Sequence, residues 1–428
     1  MSNFSRRNLL KGALAAAGAA AGSRIAGPFV RDAYAAAGEP AHFVHIYFNG
    51  GLNALFAGNA DKYVGKAFGV TAKGSGGVGE IVEIGNGVVT DLGTFGGVST
   101  FAKAHWGAFG MKHGQALHTT PQNLRSGGER AILINGDHSY LNELAFHMGG
   151  DSAFKAVYFG DRAPAYQNQP AFQGVPLQRV SDLKDALKAA GGGELDPDAP
   201  ARAEGANTIE TAEAISKRQI DTNPGRLSTL TDSYKTAADS LKKPLPPPVT
   251  FDEIDKAYGL GGKSDVTSVY AAMLAGAEIM IRAAGTNVIH IGDYGLASWD
   301  FHQTGSGGSL NGTFSRNKFK GNVGGFGSSR INPIKIFLQR MLEMQDHNVV
   351  VAISGELVRL PSGDHGDGTV AMMFGKNIKQ GVSFGVTDQG SRFAPGTPPV
   401  KGFWSAAAAA LKIPTNPFGE NPHAKLIA

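Results

Sequence analysis

The stretch His42-Phe43-Val44-His45-Ile46-Tyr47-Phe48, followed at once by Asn49-Gly50-Gly51-Leu52-Asn53, decides the fold. A short apolar run that stops at turn residues reads as a buried strand. A strand with one wet face would alternate apolar and polar residues; this one is nearly continuous, as expected for a strand covered by helices on both sides. Four further runs have the same character: Arg130 to Asn135, Asn287 to Ile291, Asn348 to Ile353 and Thr369 to Phe374. All are expected in one parallel sheet.

Helical patterns lie between these runs. Ser268 to Ala284 carries Val269, Met273, Ala277 and Met280 at three- and four-residue spacing and stops at Gly285. Pro333 to Gln345 opens with a proline at a first-turn position and lines up Ile336, Phe337, Met341 and Met344. Helices alternating with buried strands imply an α/β fold, a three-layer α/β/α sandwich around a largely parallel central sheet. Ile81 to Val89, broken by Gly85-Asn86-Gly87, is a β-hairpin candidate. Residues 181–248 read as a helical insertion closed by the stiff Pro244-Leu245-Pro246-Pro247-Pro248, with the main fold resuming near Thr250. Residues 38–428 are thus expected to form a single domain.

The first 37 residues have a different character. Ser5-Arg6-Arg7-Asn8-Leu9-Leu10-Lys11 resembles a twin-arginine export signal, with an apolar stretch from Leu9 to Ala21 and A-x-A cleavage sites at Ala33-Tyr34-Ala35 and Ala35-Ala36-Ala37. The expected location is therefore periplasmic or secreted. That segment holds Arg6, Arg7, Lys11, Arg24 and Arg31 against Asp32, a net charge of +4 that equals that of the whole chain. The remainder is near neutral, which argues against nucleic acid as a partner. No apolar run beyond the signal approaches the roughly 20 residues of a membrane span, so no span is expected in the mature chain. Cysteine is absent, so stability must come from core burial, and a formylglycine nucleophile made from cysteine is excluded.

In open α/β sheets ligands bind outside the carboxyl ends of the strands, so the residues just beyond each run carry the functional information. The first run leads into Asn49 to Asn53, and the second into Asn135-Gly136-Asp137-His138-Ser139. Asp293 and then Trp299-Asp300-Phe301-His302 come after the third. The fourth leads into Ser354-Gly355-Glu356-Leu357-Val358-Arg359 and Gly363-Asp364-His365-Gly366-Asp367. Asp300, His302, Asp364 and His365 offer the oxygen and imidazole donors that suit zinc, manganese or iron. A single Asp-His step is also an ordinary turn, which is the alternative for Asp137 and His138. Glu356 and Arg359 are either a structural ion pair, or an anion-binding arginine beside a ligand or base glutamate. Ser139 stands before the helical stretch Tyr140 to Met148, as an N-cap or as a hydroxyl nucleophile aimed by a helix start. Gly74-Ser75-Gly76-Gly77-Val78-Gly79 precedes a hairpin rather than a helix and reads as a turn, not a nucleotide loop.

These motifs together resemble an exported bacterial family known as domain of unknown function 1501, within the alkaline phosphatase and sulfatase superfamily. The resemblance covers roughly residues 42 to 400 and matches the middle insertion poorly. The family's Arg-Gly-Gly-x-Asp-Gly-Leu stands here as Asn49-Gly50-Gly51-Leu52-Asn53-Ala54-Leu55, and its Asp-Thr-His as Asp300-Phe301-His302. Its Glu-Phe-Gly-Arg corresponds to Glu356-Leu357-Val358-Arg359, and its Gly-x-Asp-His-Gly to Gly363-Asp364-His365-Gly366. The resemblance implies an alkaline-phosphatase-like sandwich with a divalent metal, zinc or manganese. Asp364 and His365 would be ligands at one site, Asp300 and His302 at a second, and Asn53 would stand where the family has a metal-binding aspartate. Two functions are expected alternatives. One is a metal-dependent hydrolase of phosphate or sulfate esters, small or polymeric, in which Ser139 or a water attacks and Arg359 steadies the anion. The other is a non-catalytic binding or cell-envelope protein on the same fold.

Overall fold

A computed structural model of the chain describes residues 39–53, 60–61, 81–85, 88–91, 104–118, 127–150, 152, 154–160, 172–189, 207–208, 210–211, 214, 249–266, 270–293, 333–359, 366–386 and 393–428. The expected signal segment lies outside them. Strands in chain order are β1 (Ala41–Phe48), β2 (Leu52–Asn53), β3 (Ala60–Asp61), β4 (Ile81–Gly85), β5 (Val88–Asp91), β6 (Trp106–Lys112), β7 (Ile134–Asn135), β8 (His138–Ser139), β9 (Ala156–Gly160), β10 (Gln178–Arg179), β11 (Val288–Asp293), β12 (Asn348–Gly355), β13 (Val358–Arg359), β14 (Gly368–Phe374) and β15 (Gly381–Ser383). The described helices are α1 (Gly128–Leu133), α2 (Tyr140–Met148), α3 (Leu183–Ala189), α4 (Phe251–Tyr258), α5 (Tyr270–Ala284), α6 (Pro333–Leu342) and α7 (Val400–Ala410).

Eight strands form the central sheet in the order β10-β9-β11-β1-β12-β14-β6-β15. Neighbours are parallel except at β14, which runs antiparallel to both β12 and β6. The largely parallel sheet is as expected, with one correction: Thr369 to Phe374 is the reversed strand. Two successive reversals cancel, so β6 again runs in the direction of β12.

The sheet is covered on both faces. Val44, Ile46 and Phe48 share a core with α3, α4, α5 and α6, whereas Phe43 and Tyr47, from the other side of the same strand, pack with α1, α2 and α7. This is the three-layer α/β/α sandwich, produced by a strand whose alternate side chains meet apolar helices on either side. On the second face Trp404 of α7 stacks on Tyr140 of α2 at 5.2 Å. Its indole N–H donates to the Ile132 carbonyl of α1 at 2.8 Å.

Local chemistry accounts for the helix ends. Thr250 and Glu253 form a reciprocal capping box at the start of α4, and Gly259 closes that helix in the left-handed conformation. Gly285, at φ 62, closes α5 where the sequence places its stop. Glu278 of α5 is fully buried and knits three helices together. Its Oε2 accepts from the Tyr258 hydroxyl of α4 at 2.8 Å and from Arg340 Nε of α6 at 2.7 Å. Its Oε1 accepts from Arg282 Nε at 2.8 Å and Arg340 Nη2 at 2.6 Å. Burial, then the adjacent Glu278 charge, pushes the Tyr258 hydroxyl well above its ordinary pKa.

Arg130 to Asn135 is not a sheet strand, contrary to the sequence expectation. Its first part belongs to helix α1, and Ile134-Asn135 pairs with His138-Ser139 in a small hairpin turned by Gly136 at φ 62. Six apolar-rich residues bury equally well on either backbone, so periodicity could not separate the two. The Ile81 to Val89 hairpin is present as the antiparallel pair β4–β5. At the start of the stretch expected as an insertion, Leu183 of α3 is fully buried in the core that includes Phe159 and α5.

Candidate functional site at the carboxyl edge of the sheet

Strands β11, β1 and β12 end level with one another, Phe48 standing opposite Asp293 on one side and Gly355 on the other. The parallel β6 delivers the loop after it, residues 113–118, to the same edge. The side chain at the centre is Glu356, the first residue beyond β12 and fully buried. Its Oε1 accepts a hydrogen bond from the Gly50 N–H at 2.8 Å and another from Nδ1 of His118. Gly50 and Gly51 hold φ near 106 and 104, a region that glycine alone enters cheaply, and this turn aims the Gly50 N–H at the carboxylate. Two further glycines make room. A Cβ on Gly355 would lie 2.6 Å from the backbone of Gly51 and Leu52, and one on Gly128 would lie 2.6 Å from the Glu356 carbonyl oxygen.

His113 braces the same turn. Its Nδ1 accepts from the Gln115 N–H at 3.1 Å, so the proton sits on Nε2, which donates to the Glu356 carbonyl at 2.9 Å. Burial lowers its pKa, opposed by the bond to Glu356, and the outcome is a neutral structural imidazole. The Asp367 carbonyl, just ahead of β14, accepts from His113 N at 3.2 Å and Gly114 N at 2.9 Å. Gly128 N donates to Leu117 O at 3.0 Å. The loop bearing His118 is therefore tied at both ends, and His118 keeps 21 % of its side chain exposed.

Behind Glu356, in the sheet itself, His45 Nε2 lies 2.8 Å from Ser354 Oγ and its Nδ1 lies 3.2 Å from Nδ1 of His290. Burial pushes the His45 pKa down to about 3 and the His290 pKa well below its ordinary value. Both imidazoles are neutral, and between their facing nitrogens one donates and the other accepts.

The residues singled out from sequence fall into three groups. Asn53 and Arg359 are brought together, as register partners in the parallel pair β2–β13, with Leu52 N donating to Leu357 O at 2.8 Å. Glu356 lies three residues before Arg359 in the same turn, and its observed partners are His118 and Gly50. Ser139 stands apart. Its Oγ accepts from Leu141 N at 3.0 Å as the N-cap of α2 and is fully buried, so the capping alternative is the one the geometry carries. Asp300, His302, Asp364 and His365 lie outside the described residues. The residue after the last pair is anchored, however, since Gly366 N donates to Val358 O at 3.0 Å. Asp137 and His138 belong to the β7–β8 hairpin, where His138 Nε2 and Asn135 Nδ2 both lie 2.8 Å from Glu143 Oε2. Among the described residues no group of three or more His, Asp or Glu side chains is disposed to hold a metal.

Sequence reasoning missed His113 and His118. The signal was available: both come after a strand at the carboxyl edge, but that strand, Trp106-Gly107-Ala108-Phe109-Gly110-Met111-Lys112, carries two glycines and does not read as a continuous apolar run. Close packing explains them, because a Cβ on Gly110 would lie 1.8 Å from the Phe384 carbonyl oxygen.

No family model and no curated protein matches the chain. Among solved structures it is similar to the alkaline phosphatase of the Antarctic bacterium TAB5, with 7 % identity over 88 % of this chain and 99 % of that one at a TM-score of 0.34. A variant of the same phosphatase with magnesium bound is similar at 8 % identity, covering 78 % and 91 % of the two chains with a TM-score of 0.30. The PH0037 protein of Pyrococcus horikoshii is similar at 9 % identity over 89 % and 100 %, with a TM-score of 0.27.

Proposed function

We propose that this chain is an exported, metal-dependent hydrolase of the alkaline phosphatase type, acting on phosphate or sulfate esters. The observation that carries the reading is the meeting, at one edge of a largely parallel sheet, of the buried Glu356 carboxylate and the paired backbones of Asn53 and Arg359. Ligand sites in open α/β sheets lie at that edge. In this reading Asp300, His302, Asp364 and His365, with the Asn53 amide oxygen, would hold the metal, oxygen and imidazole being donor types that suit zinc or manganese. Such a metal, when bound, supplies a Lewis acid for an ester oxygen. Arg359 offers the guanidinium for the transferred oxyanion. With the Ser139 hydroxyl buried and engaged as a cap, the attacking group in this reading is water.

Elemental analysis of the exported protein, followed by an aryl and alkyl ester panel with the metal found, tests the proposal. Protein that holds no stoichiometric divalent metal and cleaves no ester would refute it. Asn53→Asp adds a negative donor and is expected to tighten zinc or manganese binding in a calorimetric titration, since a carboxylate facing a dication gains more Coulomb energy than it loses in desolvation. Unchanged binding would move Asn53 away from the metal. The second reading, a non-catalytic binding or envelope protein, is favoured by the uncharged Asn53 and by the commitment of Ser139 to a helix cap. Export is tested by Arg6→Lys with Arg7→Lys, which is expected to hold the chain in the cytoplasm.

A further inference from the structure

We propose that His118, held by the buried carboxylate of Glu356, is the proton-transferring group of this site, and that the site is built for esters with poorly leaving alcohols. The inference rests on the hydrolase reading and extends it to a residue that no motif identified.

Three observations lead to it. Glu356 has no exposed surface, yet His118, whose Nδ1 it binds, keeps 21 % of its side chain exposed. A wholly buried carboxylate behind a partly exposed imidazole fixes the ring's orientation and puts Nδ1–H toward the acid. With Nδ1 held by Glu356, Nε2 is the nitrogen that exchanges a proton in this proposal. Second, the support is more elaborate than a surface ion pair needs. Gly50 N–H shares the same carboxylate oxygen, His113 holds the Glu356 carbonyl, and Gly128 leaves space against that carbonyl and ties Leu117, the residue before His118. The position of both members is thus fixed from the loops after β1, β6 and β12. Third, the pair lies at the carboxyl edge, and its Glu356 is in the turn that also carries Arg359, three residues further on and in register with Asn53.

The step balances without any further reactant. The oxygen of an attacking water bonds to phosphorus or sulfur while the bond from that atom to the bridging oxygen breaks. The electron pair of the broken bond goes to the departing alkoxide, which takes the Nε2 proton and leaves as the alcohol. A proton released by the attacking water restores the imidazolium. A nitrophenolate leaves readily without this help, whereas an alkoxide does not, so the pair matters most for alkyl esters.

The experiment compares the full chain with its His118→Gln, Glu356→Gln and His118→Ala variants on an alkyl phosphate and on nitrophenyl phosphate. For both Gln variants the expected loss in kcat on the alkyl ester is roughly 100-fold or more, against less than about tenfold on the nitrophenyl ester, with KM little changed. The limb of the pH–rate profile on which the acid loses its proton should vanish with His118. Added imidazole should restore the alkyl rate of His118→Ala, an outcome that an unfolded variant cannot give. Equal losses on both esters without imidazole rescue would make the pair structural and overturn the proposal. If the parent cleaves neither ester, the hydrolase reading fails by itself, and the pair is judged by carbethoxylation with diethyl pyrocarbonate. Modification of His118 at Nε2 that slows in Glu356→Gln supports a carboxylate-activated imidazole; a ring that resists the reagent refutes it.

Discussion

Replacing Glu278 by Gln removes one negative charge from the centre of a three-helix junction and keeps nearly the same volume. Four hydrogen bonds converge on this carboxylate, from Tyr258, Arg282 and twice from Arg340. An amide retains one acceptor. With its oxygen at the Oε1 position it still receives Arg282 Nε and Arg340 Nη2, but its NH2 group then faces Arg340 Nε, donor against donor. The Tyr258 hydroxyl must reverse its role. One charge-assisted bond is lost outright and the others weaken; hydrogen bonds to charged groups contribute about 1.5–3 kcal/mol each. The full loss is not expected, because Arg282 and Arg340 keep 33 % and 35 % of their side chains exposed and water can hydrate the guanidiniums that Glu278 releases. The expected cost is about 2–3 kcal/mol, below the roughly 3–5 kcal/mol of a fully buried pair broken on one side. Urea unfolding should show a lower midpoint at unchanged slope. Arg340→Met should cost less, since Glu278 keeps Arg282 and Tyr258, and the double variant should be less destabilised than the sum of the singles. A Glu278→Gln change under about 1 kcal/mol would mean that the network behaves as a solvated surface pair, and the reasoning would be wrong.

Ser139→Ala should cost about 1 kcal/mol by removing the cap of α2 and leave ester hydrolysis unaffected; loss of activity in a folded Ser139→Ala protein would return the hydroxyl to the chemistry. Gly355→Ala places a Cβ 2.6 Å from the backbone of Gly51 and Leu52. It should cost about 1–3 kcal/mol and disturb the Gly50–Glu356 bond, so a thermal melt matching the parent would contradict the close approach. Acid should destabilise the protein early. Burial lowers His42 from 6.5 to about 4 and His45 to about 3, so below pH 6.5 the unfolded chain binds protons that the folded one refuses. That contribution to stability is complete above pH 6.5, erodes at up to about 1.4 kcal/mol per pH unit for each group, and is lost by the folded values. The urea midpoint should therefore hold from about pH 8 to 7 and fall from about 6 to 4, and a flat profile across that range would refute the buried neutral state.

The parts of the fold legible in sequence were those where composition and burial agree. β1, β11 and β12 sit in the middle of the sheet, covered on both faces, and their Val and Ile runs say so directly. Where packing demanded small residues the pattern disappeared: β6 needs Gly107 and Gly110 to pass under its neighbours. α7, Val400–Ala410, is buried almost all round by alanines that give no amphipathic stripe. The reversed direction of β14 was invisible because a strand's direction depends on what it pairs with, not on its own residues. For the candidate-site residues, legibility follows that of the strands before them. Glu356, Arg359 and Asn53 come after legible strands and do meet at one edge, the last two in backbone register. His113 and His118 come after the illegible β6 and were lost with it.

The central position of β1 also shapes how the chain acquires its structure. His45 meets His290, 245 positions further on, and Ser354, 309 positions further on, so β1 waits for partners that are synthesised long after it. A nucleus of neighbouring segments cannot complete the middle of the sheet, and mostly non-local pairing slows folding far more than it lowers final stability. In the interval an apolar β1 has unpaired edges on both sides, the condition under which nascent chains associate with one another. Expression yield should accordingly depend on synthesis rate and on chaperone supply more than on the equilibrium stability of the finished molecule. A fragment ending before Asn348 should keep helical content while leaving one side of β1 open to a second copy.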